Sequence, residues 1–190
     1  MFIGLTGRFA AGKGAAAEFF KTRGFHYLSL SDLLREELAA RGLAFSRENL
    51  IITGKTLRAG EGPAVLAARA LKYLSLESGK NNWVIDSIRS PAEVAALRAL
   101  KNFTLLAIDA SAELRFARLR ARGRAGDSAT LEQFVAQEAA EDTTDPNGQQ
   151  LSATFALADV IIANDGERAA LHERLEEFLS ARTPVRSQPG

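Results

Sequence analysis

Gly7-Arg8-Phe9-Ala10-Ala11-Gly12-Lys13-Gly14 decides the reading of this chain. Two glycines bracket four residues and a lysine follows, the spacing of a phosphate-binding loop, with Gly14 where that pattern carries Ser or Thr. Before it, Phe2-Ile3-Gly4-Leu5-Thr6 is short and mostly apolar; after it, residues 15–20 read as helix. In a strand, glycine turn and helix, the backbone N–H groups of the loop converge on an anion, and the helix dipole favours negative charge there. Lys13 would reach the outer phosphates as a point charge. A tight strand-to-helix turn would also need glycine, but the Gly-Lys pair at the first strand favours a phosphate site.

Bulk composition narrows the remaining choices. At 190 residues the chain suits one domain with a substantial core, expected over 1–182, and a frayed tail over 183–190. The balance of 24 basic to 23 acidic residues argues against a broad nucleic-acid footprint but leaves room for a local anion pocket. There are no cysteines, which excludes disulfides, thiolate metal sites and cysteine nucleophiles and is compatible with a reducing cytoplasm, the expected location. No apolar run approaches membrane-spanning length, so no membrane partner is expected. The first apolar stretch is interrupted by Gly4, Thr6 and Gly7 and has no basic lead, so it is not read as a secretory signal.

Short apolar runs at 2–6, 25–28, 83–86, 103–109 and 160–163 lack polar alternation, as strands covered on both faces do. Between them, helical patterns fall at 14–22, 32–41, 46–57, 64–76, 92–100, 113–121, 131–140 and 167–179. Thr130-Leu131-Glu132-Gln133 has the spacing of a capping box. The alternation predicts an α/β fold, a parallel sheet with helices on both faces, and a ligand site beyond the carboxyl ends of the strands. The polar stretches 123–130 and 141–150 read as edges of a mobile segment.

Four further constellations carry chemistry. Ser31 is placed to cap a helix beginning at Asp32, and Asp32 and Arg35 lie one turn apart. Val84-Ile85-Asp86-Ser87-Ile88-Arg89 ends the third strand with a carboxylate suited to hold Mg²⁺ through water and an arginine suited to clamp a second phosphate. Arg115, Arg118, Arg120, Arg122 and Arg124 crowd ten residues; two or three are expected to neutralise a transferring phosphoryl group, the others to be solvated. Asn164-Asp165-Gly166 follows the last strand, where its backbone is placed to flank a purine ring or simply to turn.

In this order the motifs resemble the nucleoside monophosphate kinase group of P-loop proteins, adenylate-kinase-like and dephospho-CoA-kinase-like members above all. The resemblance runs from Phe2 to Leu179. It implies a P-loop NTPase fold with a five-stranded parallel sheet, a helical acceptor-binding insert over about 31–78 and a lid over about 118–150. It implies ATP and Mg²⁺ as cofactors and a small-molecule nucleotide as acceptor, with the oligomeric state left open. Gly7, Arg8, Ala10, Ala11, Gly12, Lys13, Gly14 and Ala15 would hold ATP phosphates, and Asp165 and Gly166 would border its adenine. Lys13, Arg118 and Arg122 would stabilise the transferring phosphoryl, Asp86 would organise Mg²⁺, and Asp32, Arg35, Arg58 and Arg89 would bind the acceptor. Gly14 and Ala15 leave the loop without the hydroxyl that such kinases use. The resemblance therefore also admits a dephospho-CoA-type kinase acting on a sugar hydroxyl, and a nucleotide-binding regulator without turnover.

Overall fold

The computed structural model describes residues 1–77, 79–123 and 128–182. Arg124 and the tail over 183–190 lie outside the described residues. Five parallel strands, β1 (Phe2–Thr6), β2 (His26–Ser29), β3 (Trp83–Asp86), β4 (Phe103–Asp109) and β5 (Val160–Ala163), lie in the order β2-β3-β1-β4-β5. The central strand β1 carries the phosphate-loop sequence at its carboxyl end, so the loop emerges where the strand order reverses.

Alternate residues of the central strands feed two separate cores, as the two-residue period of a strand requires. Ile3, Leu5, Val84, Leu106 and Ile108 pack on one face with α1 (Lys13–Thr22) and α9 (Arg168–Ser180) through Phe19, Phe20, Leu171, Leu175 and Phe178. Trp83, Ile85 and Leu105 pack on the other with α4 (Val65–Leu76) and α5 (Pro91–Leu97), through Leu66, Ala70, Val94 and Leu97. Gly4 leaves room on that second face, for a Cβ there would overlap the Phe103 and Ile88 side chains. The expectation of strands covered on both faces holds in the middle of the sheet and fails at its edges. His26 and Tyr27 are exposed on β2, and Ile161 on β5 is 56% exposed.

The remaining helices build the superstructure over the carboxyl edge. α2 (Leu30–Ala40) and α3 (Arg47–Glu61) form the insert after β2; α6 (Ala112–Arg122) and α7 (Leu131–Glu141) follow β4. A short α8 (Leu151–Ala156) precedes β5, just after the polar stretch 141–150, and is too short to show a helical period in the sequence. The cap of α2 is Ser29, whose side chain accepts from the Ser31 amide, and not Ser31; the helix starts two residues ahead of Asp32 because Leu30 is buried. Thr130 accepts from the Gln133 amide, but Gln133 returns its bond to Ala129, so only half of the expected capping box forms. The reciprocal box belongs to Ser90 and Glu93, at the start of α5.

Candidate active site

The phosphate loop is held open by backbone conformations that side chains rarely adopt. Gly7 has φ 134° and Gly12 φ 110°, and Ala10 lies in the left-handed region at φ 59°. A Cβ on Gly7 would overlap the Ile108 carbonyl of β4, and one on Gly12 would overlap the Asn164 amide. Asn164, 5% exposed, donates its Nδ2 to the Ala11 carbonyl at 2.8 Å, so the turn after β5 buttresses the loop. Gly14 is different: nothing lies within 4 Å of its would-be Cβ.

Lys13 folds back over the loop, donating to the carbonyls of Gly7 at 2.6 Å and Arg8 at 3.0 Å. Burial lowers its pKa to about 8; the charge of Arg89 pushes the same way, and Asp86 and Glu138 oppose. The loop lysine and Arg89, 76 positions further on, thus share one electrostatic neighbourhood. Burial also lowers the Arg89 pKa from its ordinary value. The Arg89 guanidinium donates to the neutral Gln149 side chain at 2.7 Å, and Gln150 N–H donates to the Arg89 carbonyl at 2.9 Å.

Asp86 is 8% exposed at the end of β3. One carboxylate oxygen accepts from the Ser87 amide at 2.6 Å, the other from the Tyr27 hydroxyl at 3.1 Å. Burial and the Asp86 charge push the Tyr27 phenol above its ordinary range, which keeps it a donor. Ser87 takes φ 66° and brings its hydroxyl within 3.3 Å of Ser29 and Ser31, which are themselves 2.9 Å apart.

Of these groups, Ser31, Ser87, Arg89 and Gln149 border a cavity of about 610 Å³ between the insert, the loop and α7. Ser31, Arg35, Arg58, Ser87, Arg89 and Arg122 line it among apolar walls from Leu30, Leu34, Leu50, Ile51 and Leu66. Arg35 is paired with Asp32 on α2, both side chains about half exposed, and Asp32 is not among the lining residues. Arg58 departs from a phosphate-binding surface arginine. It is 4% exposed and pairs with the fully buried Glu93 at 2.8 Å, its Nε without a partner. Glu93 also accepts the Arg89 amide at 2.8 Å, so Arg58 supports the Arg89 backbone through one carboxylate.

The arginine cluster sorts itself by helical spacing. Arg115, Arg118 and Arg122 recur at three and four residues and face the loop. Arg115 is buried, donates to the Phe9 carbonyl at 3.2 Å and pairs with Glu138. Arg118 spans the carbonyls of Ala11, Asn164 and Gly166, and so lies on the side of the loop next to the β5 turn. Arg122 stacks on Phe9. Arg120 turns away to the Ala129 carbonyl. Asp165 accepts from the Ser111 amide, and Arg8 reaches Ser152. Arg47 of α3 holds Glu141 of α7 with two bonds of 2.8 Å, and Lys55 meets Asp145 at 3.1 Å, which joins α3 to α7 and the segment after it. Arg47, Glu141, Tyr27 and the bracing by Asn164 had no local signal in the sequence, because each depends on a partner dozens of positions away.

A strand-loop-helix with this glycine spacing, at the switch point of a parallel sheet of order β2-β3-β1-β4-β5, defines a P-loop kinase-like protein, a nucleotide-binding architecture built for phosphotransfer. A family model described as an AAA domain matches residues 6–135. A UPF0200 protein of Methanocaldococcus jannaschii is 36% identical over 166 residues, covering 87% of this chain and 82% of its own. The chain belongs to the UPF0200 family of P-loop kinase-like proteins. Among solved structures, the Thermus thermophilus protein TT1252 is similar at TM-score 0.58 and 22% identity, over 96% of this chain and 98% of that one. A shikimate kinase of Bacteroides thetaiotaomicron is similar at TM-score 0.57 and 16% identity, over 95% and 98%. At these identities the likeness is one of fold. Among the described residues, no helix is long and apolar enough to cross a membrane, and no three His, Cys, Asp or Glu side chains gather as a metal site.

Proposed function

We propose that this protein transfers the γ-phosphoryl group of ATP to a nucleoside monophosphate held in the 610 Å³ cavity. The observation that carries this reading is the pairing of Lys13 with Arg89. The Arg89 charge lowers the proton affinity of Lys13, a repulsion that an anion entering between them would relieve. Lys13 sits on the donor side, in the loop, and Arg89 on the acceptor side, in the cavity wall. Phosphoryl transfer asks little covalent chemistry of the protein, so positioned charge is the main contribution. Lys13 follows the transferring group, Arg89 and Arg35 orient the acceptor phosphate, Arg122 closes over the loop, and Arg118 with Asp165 and Gly166 frames the adenine.

Asp86 fits Mg²⁺ held through water. Each of its oxygens already accepts one hydrogen bond and keeps a further lone pair. With Gly14 and Ala15 in the loop, the ion would rest mainly on nucleotide oxygens. When bound, it neutralises charge developing on the β- and γ-oxygens.

One observation favours a second reading. The Ser29, Ser31 and Ser87 hydroxyls cluster beside Asp86, and two of them line the cavity, a wall suited to a hydroxyl-bearing acceptor such as dephospho-CoA. Asp32 does not serve this reading as a base, being tied to Arg35 outside the cavity lining. Release of ADP, coupled to an optical signal and measured over nucleoside monophosphates and dephospho-CoA, separates the readings. Turnover with a monophosphate is the expected result. Turnover with dephospho-CoA alone selects the second, and ATP binding with no turnover makes the protein a regulator.

A further inference from the structure

We propose that Phe9 is a positioning residue of the transfer site, a ring platform that holds the guanidinium groups of Arg47 and Arg122 at the mouth of the phosphate loop; this rests on the phosphotransfer reading above. Phe9 is the third residue of the loop and lines the cavity. The Arg47 guanidinium carbon lies 4.6 Å from its ring centroid and that of Arg122 4.4 Å. The two arginines come from different bodies, the insert helix α3 and the helix α6 that leads into the lid. Phe134 of α7 packs on the same ring at 6.4 Å, and Arg115 donates to the Phe9 carbonyl. Insert, lid and loop therefore meet at one side chain.

The chemistry explains why that side chain is aromatic. A ring presents negative potential on its face, which attracts a guanidinium that an aliphatic side chain of equal bulk would only pack against. Stacking uses the face of the guanidinium and leaves its in-plane N–H donors for another partner. Arg47 demonstrates this: while stacked on Phe9 it holds Glu141 with Nε and Nη2, both at 2.8 Å. The ring thus holds the Arg122 guanidinium by its face beside the loop. It also offsets the repulsion of cations gathered around the loop, where the Arg89 charge already reaches Lys13.

The test compares Phe9→Leu, which keeps apolar bulk, with Phe9→Tyr, which keeps the ring, each in the parent and in Arg122→Ala. Kinetics use ATP and whichever acceptor of the panel turns over. With the ring lost, kcat falls about tenfold while the KM for ATP stays within about twofold, the pattern of a contact that matters in the transition state. Phe9→Tyr restores kcat. In the Arg122→Ala background, Phe9→Leu costs less than about twofold more, because the group it positions is gone. An equal loss with and without Arg122, or no rescue by Tyr, reduces Phe9 to packing and overturns the proposal. A second readout needs no turnover: arginine Nε–H NMR signals of Arg47 and Arg122. Ring-current shifts of these signals in the parent that disappear in Phe9→Leu uphold the platform even if no acceptor is phosphorylated, in which case only the kinase reading fails. Signals unchanged by Phe9→Leu overturn the platform whatever the kinetics.

Discussion

Lys13 concentrates the electrostatics of the site in one titration. Its pKa of about 8 in the folded chain lies below the 10.5 of an ordinary lysine. Between those values the unfolded chain binds the extra proton, so folding stability rises with pH across about 8 to 10.5. Nucleotide binding runs the other way, since the phosphates need the ammonium form. ATP affinity is expected to fall as pH passes 8, and Lys13→Arg should flatten that fall; calorimetric titration from pH 7 to 9.5 checks both. Lys13→Ala should cost about 3–4 kcal/mol of barrier and leave the fold intact, with near-parent turnover counting against the whole assignment. The glycines beside it predict opposite signs. Gly14→Ala meets nothing within 4 Å and should stabilise helix α1 by about 0.5–1 kcal/mol. Gly12→Ala, with φ 110° and the Asn164 amide in the way, should destabilise by about 1–3 kcal/mol; denaturant melts of the two variants decide it.

At the scale of elements, α3, α5 and α7 are tied to one another by charge, and the ties differ in worth. Arg58 and Glu93 are both buried, so removing one partner strands the other. Glu93→Ala should cost about 3–5 kcal/mol in a urea melt and loosen Arg89, whose amide Glu93 holds. A loss under 1 kcal/mol would show that the pair is dispensable. The Arg47–Glu141 tie is partly exposed, and Glu141→Gln should cost no more than about 1 kcal/mol of stability while raising amide exchange across α7. The elements themselves were largely legible: four of five strands fall where their apolar runs end, and β2 is displaced by one residue. Misreadings occurred where tertiary burial overrode local signals. Leu30 pulls the start of α2 forward, and the α5 helix stops at Leu97. Of the site, the residue types were legible: the charges of Asp86 and Arg89 both act on Lys13, and Arg89 lines the cavity with Arg35, Arg58 and Arg122. Arg58 was read as an acceptor ligand, and nothing local reveals that Glu93 lies buried against it.

The whole molecule places a loop from the central strand beneath a roof of two helical inserts. Ligand binding to such a site should be visible globally. At a hundredfold excess over its Kd, a non-hydrolysable ATP analogue should add about 2.7 kcal/mol to folding stability. For a chain of this length that corresponds to a rise in Tm of roughly 5–10 °C, absent in Lys13→Ala. No shift in the parent protein at saturating analogue and Mg²⁺ would remove ATP as the donor.

The hydrogen bond from Asn164 to Ala11 spans 153 positions, and its meaning is one of timing. The loop residues are made well before the amide that props them up. During synthesis at about 5–20 residues per second, the nascent chain carries an unbraced loop for roughly eight to thirty seconds. Nucleotide binding is therefore expected to reward only a chain whose fifth strand has already docked. A truncation before β5 should therefore lack ATP affinity although every residue of the loop is present, and affinity measured on ribosome-arrested chains of increasing length should switch on only once Asn164 has left the exit tunnel.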